Sequence, residues 1–92
     1  MKNIKVKTPN DLGKIVSTNA RAFRKRQNLS RVRLSEMSGV SFGSIRRFEE
    51  TGEISLKSLL KIAVVLDCTE EFEQLFKQSE PKSIWEIIDG NL

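Results

Sequence analysis

The stretch "LSEMSGVSFGSIRRFEE", Leu34 to Glu50, decides how this 92-residue chain is read. Leu34 and Met37 share one face at helical spacing, and so do Ile45 and Phe48 further on. Gly39 stands between the two segments, where a residue that reaches left-handed backbone angles cheaply ends a helix. A plain pair of packed helices needs that glycine and those apolar positions. It does not need Arg46 and Arg47 side by side on the outer face. What those arginines face is the question the sequence poses.

Working outward, serines stand where helices begin. Ser30 caps the helix before the glycine and Ser41 the one after it, with Gly52 beyond its end. Upstream, "TPNDL" reads as a helix start, with Thr8 as N-cap, Pro9 in the first helical position and Asp11 in the first turn. Leu12, Ile15, Val16 and Phe23 then recur at helical spacing, giving a first helix to about Arg26. Downstream, Ser55 caps a fourth helix, "LKSLLKIAVVL". Thr69 is expected to cap a fifth, "EEFEQLFK", with Phe72, Leu75 and Phe76 on one face. Pro81 breaks the chain, and Ser83 with Glu86 makes a capping box for a last short helix, "IWEII". "IKVK" at 4–7 alternates apolar and basic and is a candidate strand. The fold class is therefore all-α: a compact five-helix domain, with a short N-terminal strand and a short C-terminal helix as additions. The expected divisions are an N-terminal arm at 1–10, a helical domain at 11–77 and a C-terminal segment at 78–92.

Charge is divided along the chain. Residues 1–47 hold twelve Lys or Arg against only Asp11 and Glu36, a net +10. Residues 48–92 hold four Lys against ten Asp or Glu, a net −6. Such asymmetry points to a first half that binds a polyanion and a second half with other business. The plain alternative is a solvated basic surface. There is no run of 18 apolar residues to span a membrane, and "MKNIKVKTPN" does not read as a signal peptide. The lone cysteine, Cys68, forms no internal disulfide, and a cytoplasmic protein is the simplest expectation. With no histidine, no tyrosine and no metal-ligand cluster around that cysteine, neither an enzyme nor a cofactor is expected.

Two short helices joined around a glycine form a helix-turn-helix, whose second helix presents its outer face to the major groove. With Ile45 and Phe48 turned inward, Phe42, Gly43, Arg46, Arg47 and Glu50 point outward. "LSRVRLSEMSGVSFGSIRRFEETGEISLKSLLKIAVVLD" resembles the DNA-binding domain of lambda-type and Xre-type repressors. The matching positions are Leu29, Leu34, the small Ser35, Gly39, Val40, Ser41, Ile45, Phe48 and Glu49, then "SLKSLLKIA". The chain departs from the pattern at Ser35, usually alanine, at Asp67, where a glycine often ends the fourth helix, and at Val64, usually polar. The resemblance implies base-edge contacts from Phe42, Gly43, Arg46 and Arg47. It implies phosphate contacts from Arg31, Ser41 and Ser44, and a structural ion pair between Arg24 and Glu49. Arginine grips guanine O6 and N7 with two parallel bonds, Arg47 being the best placed, while Arg46 can reach phosphate instead. Phe42 can pack on a thymine methyl or fold back on the core.

Proteins of this kind bind palindromic duplex sites as homodimers. The fourth helix is apolar almost all round, and one face against a small core cannot use it all. The candidate dimer or partner contacts are Ile4, Val6, Val64, Ile84, Trp85 and Ile88. The last segment either folds back as core or meets another chain. "ISLKSLLKIAVVLDCTEEFEQLF" followed by "SIWEII" is similar to small Xre-type proteins encoded beside HipA-type toxin kinases. That likeness implies a HipB-type antitoxin, a repressor that binds its operator and holds the kinase. The alternatives are a phage-type or restriction-controller regulator without a toxin partner, and an adaptor using the same fold for protein contacts.

Overall fold

In the computed structural model residues 7–78 are described. Among them are five helices: α1 (Pro9–Arg26), α2 (Arg31–Ser38), α3 (Phe42–Thr51), α4 (Leu56–Leu66) and α5 (Thr69–Glu73). The all-α class follows directly. The candidate strand at 4–7, the last helix at 83–88, and with them Ile4, Val6, Ile84, Trp85 and Ile88, lie wholly or mainly outside the described residues.

Helix starts follow from local chemistry. Thr8 Oγ1 accepts from the Asp11 N–H at 3.0 Å while Asp11 Oδ2 accepts from the Thr8 N–H at 2.9 Å, a reciprocal capping box. The hydroxyls of Ser30, Ser41 and Ser55 each accept from the backbone N–H three residues on, at 3.0–3.1 Å. α2 and α3 end on Gly39 and Gly52, with φ of +78° and +85°. α4 ends the same way without a glycine, since Asp67 takes a φ of +61°. Aspartate tolerates this region better than most residues, but not as well as glycine.

The core is small and centred on the α2–α3 pair. Leu34, Val40, Ile45 and Phe48 are buried there, closed over by Ile62, Ala63 and Leu66 of α4. Ala20 and Phe23 of α1 pack against this cluster. Met37 does not join it; expected to point inward, it lies exposed. α2 is only eight residues long, and Val40 from the turn supplies the second apolar contact beside Leu34.

The apolar periodicity of α1 also misleads. Leu12, Ile15 and Val16 are all exposed. The buried positions of this helix are Ser17 and Arg24, and α1 lies closest to α3. Its close face starts at Gly13, where an added Cβ would sit 2.9 Å from the Gly52 carbonyl oxygen. A Cβ on Gly52 would come within 2.6 Å of the Gly13 backbone. Two helices therefore meet backbone to backbone, and the Ser17 hydroxyl remains satisfied by donating to the Lys14 carbonyl. A side chain at position 13 would part them.

α5 is shorter than expected. Cys68, not Thr69, occupies the N-cap and makes no side-chain cap bond. Phe76 takes a φ of +64° and is fully exposed, so Leu75 and Phe76 do not extend a shared face with the half-buried Phe72. A left-handed residue cannot continue a right-handed helix.

Relieving the strained end of α4 gives a first test. Asp67→Gly is expected to raise stability by up to about 1 kcal/mol. A urea midpoint that falls instead would show that the Asp67 side chain stabilises the α4 terminus more than its backbone angle costs.

Candidate nucleic-acid interface

Three helices are tied together by one carboxylate. Arg24 of α1 donates to both oxygens of Glu49 on α3, Nε to Oε2 at 2.7 Å and Nη2 to Oε1 at 2.9 Å. Its remaining Nη1 donates to the Leu29 carbonyl at 2.7 Å, in the loop before α2. Arg31, the first residue of α2, adds its Nε to Glu49 Oε1 at 2.8 Å. The Glu49 side chain is only 3% exposed. Burial pushes its carboxyl up, but hydrogen bonds from Arg24 and Arg31, with the charges of both guanidinium groups, outweigh this and hold it below its ordinary value. Arg31, expected at a phosphate, is held by Glu49. Its side chain remains 25% exposed, so it reaches the surface while anchored from behind.

The turn between α2 and α3 is fixed by Ser35, whose hydroxyl donates to the Val40 carbonyl at 2.6 Å. An alanine here would leave that carbonyl without this donor. The Ser41 oxygen accepts from the Ser44 N–H, and its proton goes to Ser44 Oγ at 2.9 Å. Ser44 accepts in that pair, so its own proton is free to donate outward.

The outer face of α3 carries Phe42, Gly43, Arg46 and Arg47 together, all exposed. Phe42 stands 42% exposed and outside the core cluster. A Cβ added at Gly43 would meet nothing within 4 Å, so no internal contact requires a glycine there. Arg46 Nε pairs with Glu50 at 3.1 Å one turn on, and Arg47 Nη2 pairs with Glu53 at 2.5 Å beyond the helix end. Both pairs are in solvent. Arg26, at the far end of α1, lies 5.0 Å from the centre of the Phe23 ring.

Val64 is 66% exposed on α4, and Leu56 and Leu60 sit at the two preceding turns of the same column, also exposed. Beside them a groove of about 430 Å³ opens between α1, α4 and α5, lined mainly by apolar residues such as Val16, Phe23, Leu59 and Phe72. The half-buried Cys68 also lines it; burial pushes that thiol up, and the charges of Glu71 and Asp67 add to the effect. Among the described residues no three His, Cys, Asp or Glu side chains come together as metal ligands, and no helix is long and apolar enough to cross a membrane.

Several contributors were not visible as such in the sequence. Gly13 carried no turn signal, although the small residues Gly13 and Ser17 recur at helical spacing. Gln27 Nε2 donates to the Leu66 carbonyl at 2.8 Å and ties the end of α1 to the end of α4. Glu50 and Glu53 looked like ordinary acidic surface residues.

Paired short helices, the second presenting an exposed basic face anchored from behind, define a DNA-binding protein of the helix-turn-helix class. A family model described as helix-turn-helix matches residues 21–72, more than half of the chain, and the protein belongs to that family, in its lambda-repressor and Xre-like form. No curated protein matches the sequence.

The ion-pair hub makes stability depend on acid. Glu49 titrates lower in the fold than in the unfolded chain, where the value is about 4.3. Its contribution is therefore complete above about pH 5 and is lost as pH falls through the folded value, because the unfolded chain binds the proton first. The urea midpoint should fall as pH drops below about 5, and Glu49→Gln should flatten that fall. Glu49→Ala should cost about 3 kcal/mol, since it strands the buried Arg24 charge.

Proposed function

We infer that this protein is a sequence-specific transcriptional repressor that reads duplex DNA with the outer face of α3. The observation that carries this reading is Gly43. A glycine in the first turn of α3 costs helix stability of up to about 1 kcal/mol, and the fold has no steric use for it. Its use is external, allowing the α3 backbone to approach a flat partner closely while Phe42, Arg46 and Arg47 flank it. Arg47 takes guanine O6 and N7 with two bonds, Arg46 a base or a phosphate, and Phe42 a thymine methyl. Arg31, Ser44 and the free N–H groups at the start of α3 hold phosphates. Ser41, the third expected phosphate contact, is exposed at the same helix start, where its hydroxyl donates to Ser44 Oγ and caps the Ser44 N–H.

The finer reading is a homodimer on a palindromic operator, serving as the antitoxin beside a HipA-type kinase. Support for the dimer comes from Val64 with Leu56 and Leu60, an apolar column in solvent. Support for the kinase partner comes from the tail sequence and the net negative charge of residues 48–92. Under this reading Ile4, Val6, Ile84, Trp85 and Ile88 are further dimer or partner contacts.

Fluorescence anisotropy over a salt series, with a random duplex and a palindrome selected from a random pool, tests the core of this. The selected site should bind about a thousandfold tighter or more, and Arg47→Ala should lower that ratio by about tenfold. Equal binding of both duplexes would remove the reading of α3. Gly43→Ala should leave the protein as stable or more so while weakening the selected site; unchanged affinity would show that α3 does not approach DNA closely at that point. Trp85→Ala, with the fold intact, should lose a co-expressed kinase and keep the duplex.

A further inference from the structure

The groove between α1, α4 and α5 is apolar space that the described residues leave uncovered. Its volume is about 430 Å³, and none of its lining residues belongs to α2 or α3. Val16, Ala20 and Phe23 line it from α1 at helical spacing, Leu59 and Ala63 from α4 one turn apart, and Phe72 from α5. Ala20, Phe23 and Leu59 are on or against the buried core cluster, so the floor of the groove is continuous with the core. Val16 on its edge is exposed, and core-type burial stops there. Arg26 stands on the same wall, over the Phe23 ring, with no carboxylate partner among the described residues.

Chain length and charge name one occupant. Cys68 and Phe72 are on the groove wall, and the chain is described as far as Gln78. On the way the Leu75 N–H donates to the Phe72 carbonyl and the Lys77 N–H to the Gln74 carbonyl, so the chain coils in place instead of running outward. Ile84 is six residues beyond Gln78, a reach of up to about 20 Å, and the groove lies within it. Ser83 and Glu86 make the expected capping box, and Ile84, Ile87 and Ile88 fall on one face of the short helix it starts. So short a helix is not stable in water by itself and needs an apolar surface to lie on. Residues 79–92 hold Glu80, Glu86 and Asp89 against Lys82, a net −2 that suits a wall carrying Arg26. We propose that residues 83–88 seat in the groove of their own protomer, with Ile84, Ile87 and Ile88 against its apolar walls. A tether this short raises the effective concentration of the segment to about the millimolar range, which favours it over the segment of a second copy. The inference is independent of DNA reading by α3. Of the residues given above to a dimer or partner, it keeps Ile84 and Ile88 within the protomer and leaves Trp85, to one side of that face, for another chain.

Cys68, the only cysteine, is half-buried on the groove wall and serves as the reporter. A second cysteine is placed in the full chain by Ile84→Cys, Ile87→Cys, Ile88→Cys or, on the opposite face, Glu86→Cys. A disulfide closes only where the two Cβ atoms come within about 4.5 Å of each other. Mild oxidation with diamide at low protein concentration should join at least one of the three isoleucine positions to Cys68 within a monomer, about tenfold faster than Glu86→Cys. In a second measurement, Ile84→Glu/Ile88→Glu should raise the rate at which iodoacetamide modifies Cys68 by about tenfold. The rates are compared at one pH, because burial and the charges of Glu71 and Asp67 push the thiol up. Thermal melts monitored by circular dichroism check that each variant is folded. Disulfide-linked dimers in place of the monomeric product would give the groove to a second copy and overturn the proposal. Closure at none of the positions, or equal closure at all four, would overturn it by removing the seated apolar face. An iodoacetamide rate that the double variant leaves unchanged would overturn it by showing the groove open.

Discussion

A single carboxylate sits where α1, α2 and α3 converge. Glu49 takes three hydrogen bonds from two arginines, and through Arg24 it also reaches the loop before α2 by way of the Leu29 carbonyl. The apolar core behind it is modest, with only seven buried hydrophobic side chains among the described residues. So small a core leaves the relative placement of short helices weakly determined, because two-turn helices gain little from their own hydrogen bonding. The buried ion pair supplies what the core lacks, a directional contact that is satisfied in one arrangement only. Removing one partner of a buried pair is costly, and that cost guards the arrangement.

The same hub joins fold to surface. Arg31 is anchored by its Nε and reaches solvent with the rest of its guanidinium. The Ser35 hydroxyl holds the turn, and the serine caps hold the helix starts. Residues 1–47 carry a net positive charge and residues 48–92 a net negative one.

Helix starts and stops could be read from residue types because they depend on contacts within three or four positions. Thr8, Ser30, Ser41, Ser55, Gly39 and Gly52 all stand where their chemistry alone would place them. Asp67, noted as the odd residue at the end of α4, indeed carries the left-handed angle a glycine would take. What could not be read was the face that α1 buries. Its apolar residues Leu12, Ile15 and Val16 advertise one side, while Gly13, Ser17 and Arg24 occupy the other. Periodicity counts hydrophobic side chains, whereas a close backbone approach selects for small ones. Met37 failed for a related reason, since Val40 in the turn already occupied the adjoining core position. On α3 the exposed set of Phe42, Gly43, Arg46 and Arg47 followed from fixing Ile45 and Phe48 inward. Their carboxylate partners did not, because Glu53 lies beyond the helix and reaches back across its end.

The contact between Gly13 and Gly52 has a consequence for how such a protein diversifies. Neither position accepts even a methyl group without moving backbone, and Gly52 also carries a positive φ. The pitch at which α3 leaves the body of the protein is thus locked to α1 and is closed to gradual adjustment. Under the proposed reading, descendants of this chain would acquire new DNA preferences by exchanging side chains at 42, 43, 46 and 47 on an unchanged platform. Changes of preference would come in discrete steps, one surface residue at a time, with the three-helix frame inherited whole.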